Sequence, residues 1–81
     1  MNRQEIYDRV VKVVAGVLDV DEEMIEPGSN FIFDLGAEST QSVQLVAAFE
    51  EEFGIEMDNE AALQVQTVGA AADFIAGYVN K

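Results

Sequence analysis

The sequence predicts an all-α fold, a four-helix bundle with a short third helix and a long loop between helices 1 and 2. Apolar residues recur at three- and four-residue intervals, no segment sustains strand-type alternation, and Pro27, Gly28, Ser29, Asn30 and Gly36 gather the turn formers into one interval. At 81 residues the chain is expected to hold one domain, 1–81, with a modest core. Cysteine and histidine are both absent, which removes disulfides and the usual zinc ligand sets and leaves stability to packing.

The first helix is expected over Arg3 to Leu18, with Ile6, Val10, Val13, Val14, Val17 and Leu18 turned inward and Glu5, Asp8, Arg9 and Lys12 outward. Its β-branched valines lower intrinsic propensity, so burial has to hold it. Asp19 to Glu38 reads as a partly packed loop pinned by Phe31, Phe33 and Leu35; a connection this long in a small domain is more often functional than free. The second helix runs from about Ser39 to Phe53, with Val43, Val46, Ala47, Phe49 and Phe53 available for its inward stripe and Gly54 as its stop. Glu50, Glu51 and Glu52 near its carboxyl end oppose the helix dipole, which suggests partner recognition in place of local stabilisation. After Ile55-Glu56-Met57, Asp58 or Asn59 caps a brief third helix through Leu63. Thr67 caps a fourth through about Val79, with Val68, Ala71, Ala72, Ile75 and Val79 buried.

Sixteen acidic residues against four basic ones give a net charge of −12. No positive side chain stands between Lys12 and Lys81, an interval that holds every carboxylate except Glu5 and Asp8. Such a surface repels phosphates, disfavours nucleic acid and attracts basic protein patches, although solubility alone explains it equally well. Without cysteine or histidine there is no thiolate nucleophile, imidazole base or Ser/His/Asp triad, so the chain is not expected to be an enzyme. No apolar run reaches membrane-spanning length and no signal core opens the chain; it is expected to be a soluble cytoplasmic monomer. The acidic run from Asp19 to Glu23 lacks calcium-loop spacing, so no metal site is expected.

The most informative stretch is Asp34-Leu35-Gly36-Ala37-Glu38-Ser39-Thr40, which delivers a serine to the first turn of a helix. Free N–H groups and a partial positive charge there suit a phosphate ester on the hydroxyl. From residue type alone an ordinary helix cap is the preferred explanation of a serine there.

The chain resembles acyl carrier proteins along nearly its whole length. Their modification site typically reads Leu-Gly-Ala-Asp-Ser-Leu, against Leu35-Gly36-Ala37-Glu38-Ser39-Thr40 here, and the likeness continues through Val43-Gln44-Leu45-Val46, Phe49 to Glu56 and Thr67 to Ile75. The resemblance implies that a phosphopantetheinyl transferase attaches 4′-phosphopantetheine from coenzyme A to Ser39, and that acyl groups travel on the arm as thioesters for fatty-acid, lipid or polyketide-type biosynthesis. The partners it implies are acyl-loading, elongating or acyl-transferring enzymes with basic docking patches. Glu38, Thr40, Gln44, Glu50, Glu51 and Glu52 are the aligned recognition residues. The aligned acyl cavity would be lined by Phe31, Ile32, Ser42, Val46, Phe49, Met57, Ala62, Leu63 and Val65.

The departures point to a specialised member. Glu38 replaces the family's aspartate, Thr40 a leucine, and Gln41 and Gln44 stand where many fatty-acid carriers have carboxylates. Phe49 and Leu63 would narrow the cavity or make its mouth more apolar. The competing readings are an aminoacyl or peptidyl carrier and an unmodified acidic interaction module in which Ser39 is only a cap.

Overall fold

In the computed structural model, which describes residues 1–80, helix α1 spans Arg3–Leu18. It starts at Asn2, whose side chain accepts the Glu5 N–H at 2.8 Å, and stops where Asp19 turns left-handed at φ 54°. A 3₁₀ turn at Glu22–Met24 interrupts the following loop. Helix α2 spans Ser39–Phe53 and is closed by Gly54 at φ 64°; α3 is Asn59–Leu63, capped by Asp58; α4 is Val68–Val79, where Thr67 accepts the Ala70 N–H. No strand forms among the described residues, where the one β-bridge joins Asn30 to Thr67. Lys81, the end of the expected domain, lies outside the described residues.

Helix α1 packs against both α2 and α4, and α3 leans on α2. Ile6, Val10 and Val14 of α1 meet Val68 and Ile75 of α4 in the most buried layer, each side chain contributing about 1.5–3 kcal/mol by leaving water. Ion pairs reinforce both faces of α1, Arg3 with Asp73 of α4 and Arg9 with Glu52 of α2 at 3.7 Å. Tyr7 packs against the same core; burial first, then the Glu26 and Asp8 carboxylates, raise its phenol above the usual 10.0.

The expected inward stripes need three corrections. In α1, Val11 is buried while Val13 and Val17 are only half-covered. In α2, Leu45 joins Val46 and Phe49 inside, whereas Val43 is 59% exposed and Ala47 faces solvent. At about 100° per residue, a face centred on Leu45, Val46 and Phe49 turns Ala47 well away and carries Val43 past its edge. In the loop, Phe31 is buried and Leu35 half-buried, but Phe33 is 88% exposed and pins nothing to the core; Ile25 and Ala37 supply the missing anchors.

Backbone bonds order the loop between α1 and α2. Phe31 donates to Gln66 O at 2.9 Å, Val68 to Ser29 O at 3.1 Å and Gly69 to Pro27 O at 2.8 Å, so the loop is stitched to the entrance of α4. Ser29, buried, accepts the Glu26 N–H on its Oγ at 3.0 Å. Each bond satisfies a backbone group that a loop packed against the core would otherwise strand.

Candidate functional site

Gly36, at φ 72°, turns the loop toward α2, and the Ala37 N–H closes it on Phe31 O at 2.7 Å. Glu38 is the residue that caps α2: its backbone is extended, and its N–H donates to Gln41 Oε1 at 2.9 Å. Ser39 is therefore the first helical residue and not the cap. Its side chain is exposed, and its hydroxyl makes no hydrogen bond to any described residue. The N–H groups of Ser39 and Thr40 have no carbonyl one turn back to bond, which leaves positive partial charge beside that hydroxyl.

Ser39, Ser42, Val46 and Phe49 follow one another at helical spacing along one side of α2. The last three form a wall of a cleft of about 400 Å³ between α2, α3, α4 and the loop. All nine aligned cavity residues, Phe31, Ile32, Ser42, Val46, Phe49, Met57, Ala62, Leu63 and Val65, line this cleft. Sequence reasoning missed Phe33, Leu45, Ala71, Phe74 and Ile75, together with the polar Asn30, Gln64 and Gln66. Ile75 already stood in the buried stripe of α4, but no spacing rule tells which helix reaches into a cleft between two others. Among the described residues, no charged side chain lines the cleft.

The expected recognition residues do not form one group. Glu38, Thr40 and Gln44 are exposed along the front of α2. Glu50 is half-buried and its carboxylate accepts the Met57 N–H at 2.8 Å, which ties the end of α2 to the approach of α3. Glu52 faces Arg9, and Glu51 stays in solvent. Two of the three glutamates thus have local partners that offset their position at a helix carboxyl end. Among the described residues, no group of three or more acidic side chains is placed to hold a metal ion.

The family described as "Phosphopantetheine attachment site" matches residues 8–75. A protein named "Acyl carrier protein" from Picosynechococcus sp. is 47% identical over 73 residues, covering 90% of this chain and 90% of the relative. An "Acyl carrier protein" of Sinorhizobium fredii and the "Acyl carrier protein AcpP" of Rhizobium meliloti are each 51% identical over 71 residues, covering 88% of this chain and 91% of the relative. An exposed helix-entrance hydroxyl beside unpaired N–H groups fits a phosphate ester, and a neutral apolar cleft opens along the same helix. On this evidence the chain belongs to the acyl carrier protein family, whose members bear acyl groups on a covalently attached 4′-phosphopantetheine.

Proposed function

We propose that Ser39 bears the phosphopantetheine and that the chain acts as a non-catalytic carrier, a single monomeric domain over 1–81 working in the cytoplasm. The observation that carries this reading is the exposed, unbonded Ser39 hydroxyl on the first residue of α2, in line with the cleft wall. The group, when bound, supplies a flexible arm ending in a thiol, the nucleophile that a chain without cysteine lacks. No described residue hydrogen-bonds Ser39 Oγ, so its proton is left for the transferase to remove. The amino end of α2 favours the phosphate charge that follows.

The cleft residues Phe31, Ile32, Val46, Phe49, Met57, Ala62, Leu63 and Val65 receive the apolar part of the cargo, an assignment supported by their apolar character and the absence of charge around them. Partners with basic patches read Glu38, Thr40, Gln44 and Glu51, which are exposed and free of local ion pairs. No helix among the described residues is long and apolar enough to cross a membrane.

The test is the intact mass of the apo chain and its Ser39→Ala variant after incubation with coenzyme A and a broad-specificity phosphopantetheinyl transferase. One phosphopantetheinyl adduct is expected on the parent and none on the variant, with equal helical circular dichroism. An adduct persisting on the alanine variant would move the attachment elsewhere. No adduct on either folded chain would favour an unmodified interaction module.

A further inference from the structure

Three of the large exposed apolar side chains, Ile32, Phe33 and Leu63, stand together on the rim of the cleft. Single exposed apolar residues are ordinary on a protein surface, but their convergence on one opening calls for a cause. Phe33 is the extreme case at 88% exposed.

Its position is built into the backbone. Asn30 Oδ1 accepts the N–H groups of Ile32 at 2.9 Å and Phe33 at 3.0 Å, and Asp34 Oδ2 accepts the Asn30 N–H at 2.7 Å. Asp34 and Leu35 both donate back to Asn30 O, at 2.9 and 3.0 Å. A turn braced from both ends does not roll Phe33 into the core, so the ring moves only through its own side-chain torsions. It stays at the mouth.

From this the geometry points to Phe33 as a specificity-determining residue: a ring that folds over a neutral aliphatic acyl chain entering the cleft and leaves short acyl groups uncovered. The inference rests on attachment at Ser39. Ser39 heads the α2 line that continues as Ser42, Val46 and Phe49, so cargo tethered there reaches the cleft from its Ser42 end. A long chain meeting the ring removes apolar surface of both from water, whereas an acetyl group offers almost none. With no charged side chain lining it among the described residues, the cleft favours a neutral chain end over a buried carboxylate, which would have only neutral polar groups to offset its charge.

The chain contains no tryptophan, so Phe33→Trp installs a single reporter at the mouth. The variant is loaded at Ser39 from acetyl- or decanoyl-coenzyme A by the transferase, and loading is verified by intact mass. Emission is expected at shorter wavelength with decanoyl cargo and unmoved with acetyl. In parallel, Phe33→Ser should speed hydroxylamine cleavage of decanoyl cargo severalfold over the parent and leave acetyl cleavage unchanged. Identical emission for the two cargoes, or equal decanoyl cleavage in Phe33→Ser and the parent, overturns the inference while attachment stands. Failure to load at Ser39 overturns the attachment reading and this inference with it.

Discussion

The Gly69 N–H donates to Pro27 O at 2.8 Å, and a Cβ built on Gly69 would lie 2.9 Å from that oxygen and 3.2 Å from Pro27 Cβ. Alanine is the better helix former, by about 1 kcal/mol, yet here its methyl would push the loop off the entrance of α4. Gly69→Ala is therefore expected to destabilise the fold by about 1–2 kcal/mol in urea denaturation, since the contact to be displaced is backbone and cannot swing aside. A stabilised variant would show that the stitch yields freely. Ser39 teaches a related lesson at the same scale. Serine at a predicted helix start is legible as a site, but whether it caps the helix depends on Glu38, whose N–H the Gln41 side chain already satisfies. Glutamate is a poor advertisement for a cap, so residue type pointed to the wrong neighbour.

Among the elements, α2 is the one we propose that partners read. Its front is neutral: Gln44 is exposed, while Gln41 is engaged in closing the helix start. Restoring a carboxylate is therefore informative only at position 44, because a shorter acid at 41 would also disturb the cap. Gln44→Glu is expected to raise kcat/KM with a general fatty-acid elongation enzyme at low ionic strength by a factor of roughly two, the worth of about 0.5 kcal/mol from one exposed charge pair. No change there would count against α2 charge as the docking determinant. Helix bounds were readable where apolar residues meet a recognisable start or stop, Gly54, Asp58 and Thr67 among them, whereas the 3₁₀ turn at Glu22–Met24 was not. Nor was the inward face of α2. Val43, Leu45, Val46, Ala47, Ala48 and Phe49 make a nearly continuous apolar run, in which spacing cannot choose a side and packing against α1 and α3 does. The cavity residues came from alignment with a family; Phe33, which departs from a simple core role, was misplaced because nothing in its residue type distinguishes a rim from an anchor.

For the whole molecule, a net charge of −12 sits on a body of 31 × 25 × 18 Å. At an ionic strength of about 0.01 M the screening length, about 30 Å, spans the protein, and at 0.1 M it falls to about 10 Å. Self-repulsion should dominate over the two exposed ion pairs, which are worth little individually. Thermal unfolding should accordingly rise with sodium chloride over that range, by roughly 4–8 °C for each 1 kcal/mol of repulsion relieved. A falling midpoint would mean that the Arg3 and Arg9 pairs outweigh the net charge. The stitching of the loop to α4 bears on the carrier as a device that handles many loads. One side of the cleft is sewn down by three backbone bonds, while the opposite side is a five-residue helix with no fully buried member. If cargo tethered at Ser39 enters this cleft, bulkier cargo is expected to displace α3 and to leave the layer of Ile6, Val10, Val14, Val68 and Ile75 unchanged. The fold's survival would in this way be insulated from what it happens to be carrying.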